Sequence, residues 1–259
     1  VETPTGQRKR ATSLTMSHME NSFWETQFVL DPKPAPVERH GDVDLYLPAG
    51  DGPRPAVVLV HGGPLPPGAP DPREWLLYQG YGALLAEEGV LAAMPRLPLH
   101  TPGDLPAAAA HLAGTAGLLR ADPRVDPDRL ALWFFSGSGL LLADWLRDPP
   151  PWLRGLAATY PLLAPLPGWP VDRRFHPLDA LDQAGDPPPL VLTLAGRERP
   201  EIAAISEAFT AAAARRGRPV RIVAVPDGRH GFDALDHTEE SRAAVRTARD
   251  ALLTLLTAP

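Results

Sequence analysis

Two stretches of the chain are apolar at every position, VVLV at 57–60 and ALWFF at 131–135. A strand with one solvated face alternates apolar and polar side chains, whereas a strand covered on both faces does not. Each of these segments therefore needs helices above and below it, which few architectures supply. Strand-like runs fall at Trp24–Leu30, Asp42–Pro48, Ala56–His61, Val90–Met94, Leu130–Phe135, Leu156–Tyr160, Leu190–Leu194 and Val220–Val225. Helical patterns lie between most of them, at Arg73–Glu88, Leu105–Arg120, Gly139–Arg147, Glu201–Arg216 and Glu239–Leu256. The first two strands are joined without a helix, as at an antiparallel edge. From Ala56 onward strand and helix alternate. The order predicts an α/β fold with a mostly parallel sheet of about eight strands and helices on both faces. The two apolar runs belong at its centre. The longest irregular insert, Leu162–Asp186, is too short for a large lid domain.

A chain of 259 residues with 44% hydrophobic content suits one domain with a large core. Residues 1–22 are polar and without periodicity, and read as a disordered extension ahead of a single domain over 23–259. The basic cluster Arg8-Lys9-Arg10 is not followed by an apolar run, so it does not read as a secretory signal. No apolar stretch is long enough to span a bilayer. A cytoplasmic location and no membrane partner are the expectation. The net charge of −6, without an evident basic face, argues against nucleic acid as a partner. The absence of Cys excludes disulfides, thiolate nucleophiles and Cys-based metal sites. Nothing in the sequence specifies an oligomeric state.

The second apolar run passes into a helical pattern through Ser136-Gly137-Ser138-Gly139. A serine on a tight strand-to-helix turn is presented at the carboxyl edge of the sheet, where ligands of such sheets bind. The N–H groups of the following helix start then point at any developing anion. This is the logic of the nucleophile elbow, G-x-S-x-G. In the frame centred on Ser136 the position two before is Phe134 and the position two after is Ser138. In the frame centred on Ser138 these positions are Ser136 and Leu140. Ser136 is the preferred nucleophile because it follows directly on the strand.

An activated serine needs a base, and the base an orienting acid. Of eight His, His230 is the best base, on the loop after the last strand in PDGRHGFDALDH, with His237 as the alternative. In the chain order Ser, acid, His, the acid belongs after Leu190–Leu194. Glu198 lies closest to that strand end, Glu201 follows Pro200 where the next helical pattern opens, and Asp172 is an outsider. The strand at 56–61 ends in HGGP. Gly63 and Gly137 are candidate N–H donors for an oxyanion, and Pro64 has no N–H to give. His61 reads as a structural residue bonding nearby backbone. Leu65, Trp75, Tyr78, His100, Trp169 and Phe175 are candidates for the substrate pocket.

These residues carry a family resemblance. VHGGP at 60–64, YQGYGALLAEEGV at 78–90, FFSGSG at 134–139, AGRER at 195–199 and GRHGFD at 228–233 make the chain similar to the α/β-hydrolases, in the branch of the dienelactone hydrolases. The resemblance covers roughly residues 41–258. It implies an α/β-hydrolase fold and ester or lactone hydrolysis through an acyl-enzyme, with Ser136, Glu198 and His230 as the triad and no cofactor. Dienelactone hydrolases proper use a Cys nucleophile, which this chain lacks. Many relatives have Asp where Glu198 stands, and Gly where Phe134 stands. A small-molecule ester is thus the expected partner. The alternative is a binding protein that keeps the fold with weakened chemistry, and acyl transfer or peptide cleavage would use the same residues.

Overall fold

The structure is a computed structural model and describes residues 23–182 and 188–257. The extension read at residues 1–22 lies outside the described residues, as does the end of the insert expected over Leu162–Asp186. Eight strands form one sheet: β1 Val37–His40, β2 Val43–Tyr46, β3 Arg54–Val60, β4 Leu91–Pro95, β5 Val125–Phe135, β6 Leu153–Thr159, β7 Leu190–Arg197 and β8 Val220–Arg229. Their spatial order is β1-β2-β4-β3-β5-β6-β7-β8. β1 pairs with β2 and β2 with β4 antiparallel, and every other neighbour is parallel. The longer helices are α1 Leu76–Glu87, α2 Leu105–Ala121, α3 Leu142–Arg147, α4 Pro200–Arg215 and α5 Glu239–Thr257.

The apolar runs end where their composition puts them. Val57–Val60 in β3 and Ala131–Phe135 in β5 are fully buried, and β3 lies between β4 and β5. Side chains alternate between the two faces. Val58, Val60, Leu132 and Phe134 pack with α2, α3 and α4 on one face. Val57, Leu59, Trp133 and Phe135 pack with α1 and α5 on the other. α5 shows how sequence selects its face. Ala244, Val245, Ala248, Ala251, Leu252 and Leu256 recur at helical spacing and are buried, while Glu239 and Glu240 occupy the first turn, where they complement the helix dipole. α2 begins after a capping turn in which the Asp104 carboxylate accepts the Thr101 N–H at 2.7 Å and the His100 N–H at 3.0 Å.

One strand expectation is corrected and one strand was missed. Trp24–Leu30 is not a strand. It begins with a 3-10 turn, Phe23–Glu25, and the Val29 N–H is taken by the Asp233 carbonyl at 2.9 Å rather than by a ladder. Phe28 packs on Tyr81 with ring centroids 4.6 Å apart. This segment is a strap across the protein, and its aromatic content reflects packing rather than pairing. The strand at the edge is instead β1, VERH, whose mostly exposed polar residues hide it from a hydrophobicity pattern and also protect the open edge.

Candidate active site

β5 runs without interruption into the turn at Ser136. Its register holds to the end, with Phe134 opposite Val60 on one side and Ala158 on the other. Phe134 is fully buried in the core, so a bulky residue two positions before the serine is absorbed by packing and the strand is not displaced. Ser136 has φ 52°, a left-handed conformation that costs a non-glycine residue roughly 1–2 kcal/mol. The turn also needs a glycine after the serine. A Cβ on Gly137 would stand 1.7 Å from the Gly63 carbonyl oxygen, so the two loops touch through bare backbone.

The strained turn delivers the Ser136 Oγ to 2.8 Å from His230 Nε2. On the other side of the ring, His230 Nδ1 is hydrogen-bonded to the Glu198 carboxylate. The Glu198 side chain is 4% exposed and the His230 side chain 30%. Burial alone raises the Glu198 carboxyl, but the His230 hydrogen bond and charge, with the Arg199 N–H at 2.8 Å, together hold it below its ordinary value. It is therefore an anion at neutral pH, aimed at the imidazole. Glu198 comes from the loop between β7 and α4, and His230 directly follows β8, so three loops at one edge of the sheet meet here.

The alternatives have other occupations. Ser138 is fully buried, accepts the Phe135 N–H at 3.0 Å and lies 2.8 Å from the Val60 carbonyl. Its hydroxyl ties the turn to β3. Glu201 is exposed in the first turn of α4. The Asp172 carboxylate accepts the Arg174 N–H at 2.7 Å and caps a 3-10 turn. His237 Nε2 lies 3.1 Å from the Ala234 carbonyl. His61 is fully buried, and its Nε2 accepts the Leu97 N–H at 2.9 Å, which leaves Nδ1 to donate to the Gly62 carbonyl at 2.7 Å. Burial brings its pKa down to about 4, so the neutral ring is a clamp on the HGGP turn.

Ser136 and His230 open into a cavity of about 380 Å³. Gly62, Gly63, Leu65, Trp75 and Tyr78 line it, as do Phe23, Trp24 and Leu235. Leu65, Trp75 and Tyr78, expected as pocket residues, and Gly63, expected as an oxyanion donor, are among these lining residues. His100 and Phe175 are corrections, since neither lines the cavity. The His100 backbone is held in the turn that caps α2 and its side chain is exposed. Phe175 is buried against the opposite face of the sheet, beneath the Arg174 guanidinium. Trp169 packs on that same face. The missed wall is the strap. Phe23 and Trp24 meet Trp75 at ring centroid distances of 5.8 and 5.7 Å. Also missed are Leu235 and Tyr160; the latter lines the cavity from the end of β6 with φ 39°, and its ring lies 4.6 Å from that of His230. Its place immediately after a central strand was the available signal.

Behind the histidine, Asp233 is fully buried and accepts the hydroxyls of Tyr81 and Tyr160, each at 2.8 Å. Burial pushes its carboxyl up from 3.8 to about 6, against the pull of the two phenols. The folded protein thus holds this proton more tightly than the unfolded chain. The stability it contributes is complete below about pH 4 and is lost as the pH rises through 6. Wild type is therefore expected to lose more thermal stability than Asp233→Asn between about pH 5 and pH 7. Equal pH slopes of Tm in the two proteins would contradict this.

Among the described residues, no group of three or more His, Asp or Glu is placed to hold a metal ion, and no helix is long and apolar enough to cross a membrane. No protein-family model matches the chain, and no curated protein matches it at a significant level. Solved structures do. Esterase 2 of Thermogutta terrifontis, in the form phosphoramylated by tabun, superposes with a TM-score of 0.69 at 17% identity over 89% of this chain and 98% of its own. The same enzyme with butyrate bound gives 0.61 at 17% identity, over 86% and 94%. MGS-M1, an alpha/beta hydrolase enzyme from a Medee basin deep-sea metagenome library, gives 0.65 at 14% identity over 88% and 98%. The shared architecture is the α/β-hydrolase fold.

Proposed function

Proceeding from that fold, we propose that residues 23–259 form one serine hydrolase domain that cleaves small or medium carboxylic esters through an acyl-enzyme. The observation that carries this reading is the continuous chain from the Ser136 hydroxyl through His230 to Glu198, mounted on a strained turn at the mouth of a cavity. Ser136 attacks the ester carbonyl while His230 Nε2 takes its proton. Glu198 keeps the Nδ1 proton in place and balances the imidazolium. The Gly63 and Gly137 N–H groups receive the negative oxygen. His230 then protonates the departing alcohol, and water, activated by the same histidine, releases the acid.

The lining supports the substrate class. The described wall residues include no Asp, Glu, Lys or Arg, and nine of them are aromatic or apolar rings and chains, at 23, 24, 64, 65, 66, 75, 78, 160 and 235. Such a wall rewards burial of apolar groups and offers no cation to a carboxylate-bearing substrate. Neutral esters and simple lactones fit it. Within the fold we place the chain with the dienelactone hydrolase-like enzymes, with serine as nucleophile.

A fluorophosphonate probe followed by a p-nitrophenyl ester series, acetate to octanoate, tests the reading. The expected result is a label on the peptide containing Ser136 and turnover that falls at the longer acyl chains as the cavity fills. An unlabelled, inactive but folded protein would leave a binding role in its place. The organophosphorus adduct of the Thermogutta esterase supports this choice of probe.

A further inference from the structure

The phenol of Tyr78 has one hydrogen bond made and another still to give. Its oxygen accepts the Gly62 N–H at 2.8 Å, and no described residue takes its own hydrogen. The residue is 2% exposed and lines the cavity that contains Ser136. A buried hydroxyl without an acceptor is costly, so its donor is built for something that enters.

Gly62 sets where that donor stands relative to the serine. A Cβ on Gly62 would lie 3.1 Å from the Ser136 Cβ and 3.6 Å from the Tyr78 oxygen, so both flank its one bare face. Tyr78 therefore approaches Ser136 from the HGGP side, next to Gly63. This is the side from which donors to a developing oxyanion come. The ring is braced, stacked on Trp75 at 5.7 Å and edge-on to Phe135 at 5.3 Å. Burial raises the phenol pKa above its ordinary value, which keeps the hydroxyl protonated at neutral pH. Accepting the Gly62 N–H polarises the O–H and makes it a better donor.

We propose that Tyr78 is a further catalytic residue, whose hydroxyl donates to the carbonyl oxygen of the ester as that oxygen becomes negative, alongside the Gly63 and Gly137 N–H groups. The bond from Ser136 Oγ to carbon forms as the carbonyl π pair moves onto oxygen. The phenol proton stays on Tyr78 throughout. The proposal rests on the reading of Ser136 as nucleophile.

An alkyl trifluoromethyl ketone labelled with carbon-13 is the probe, because addition of Ser136 creates a hemiketal oxyanion. Wild type is expected to form the hemiketal and Ser136→Ala is not. In Tyr78→Phe, kcat for p-nitrophenyl butyrate is expected to fall about 10²–10³-fold with KM near wild type. The ketone inhibition constant should rise by the same factor, and the hemiketal pKa, read from the carbon-13 shift, should rise. A structural role confined to holding Gly62 would leave that pKa where it is. Replacement of the Tyr78 ring by 3-fluorotyrosine keeps the ring and both hydrogen bonds, and as a stronger donor it should lower the hemiketal pKa. If Tyr78→Phe folds and binds the ketone as wild type does, with the same hemiketal pKa, the donor role is overturned while Ser136 keeps its own. If Tyr78→Phe does not fold, an unchanged pKa in the fluorotyrosine protein overturns it equally. If wild type forms no hemiketal, the nucleophile reading fails first and the donor role falls with it.

Discussion

Ser136→Ala is expected to lower kcat for p-nitrophenyl butyrate by on the order of 10⁶-fold, leaving the slow reaction that binding and oxyanion donors sustain alone. Ser138→Ala is expected to do something different. Its hydroxyl is fully buried between the Phe135 N–H and the Val60 carbonyl. Removing it leaves buried backbone groups short of a partner, at a cost of about 1–3 kcal/mol in stability. Activity should survive below the lowered melting point. Both substitutions delete one oxygen from the same tight turn, so the contrast depends on direction alone. Ser136 points to His230 at 2.8 Å and Ser138 points back into the sheet. Parallel kinetics and urea melts of the two variants would decide it. Loss of turnover in Ser138→Ala with Ser136→Ala still active would reverse the assignment of the nucleophile.

Glu198→Gln is the second large effect, a fall in kcat of roughly 10⁴-fold with little change in KM. The amide is nearly isosteric, so the ring stays in place. Its N–H₂ facing Nδ1 favours the tautomer with the proton on Nε2, and an imidazole of that kind cannot accept the serine proton. It also withdraws the negative charge that balances the imidazolium. Glu201→Gln is the matched control, since Glu201 is exposed in the first turn of α4 and is expected to leave the rate near wild type. A Glu198→Gln protein that keeps more than about a tenth of the activity would contradict the role given to this carboxylate, since loss of the orienting acid is expected to cost far more than that.

How much of this was legible beforehand follows from the range of the forces involved. The elbow was legible because its causes are local. An apolar run with both faces covered, followed at once by small residues and a helical period, has few ways to fold. Chain order then narrowed base and acid to residues on loops after particular strands. Phe134 read as a departure because the motif encodes only the steric need at the turn. The structure shows the side chain leaving the turn for the core on the α2 face, where the strand's alternation sends it. The strap was misread because aromatic and β-branched residues favour a strand and a packed coil alike. Only the Asp233 carbonyl, more than two hundred positions away in the chain, decides where the Val29 N–H goes.

The same division holds for the cavity. The sequence by itself determined the alternation of strand and helix, the buried centre of the sheet, the turn at Ser136 and the succession of Ser136, Glu198 and His230 along the chain. These depend on periodicity, small-residue turns and the parity of strand faces, all of which act over a few residues. Tertiary structure alone decided that Phe175 fills the core while Phe23, Trp24 and Tyr160 wall the site, that His100 faces outward, and that Asp233 stands behind His230. An aromatic ring carries no local mark of whether it meets a core or a ligand. That choice is made by which segments the closed fold brings within a few ångströms of each other.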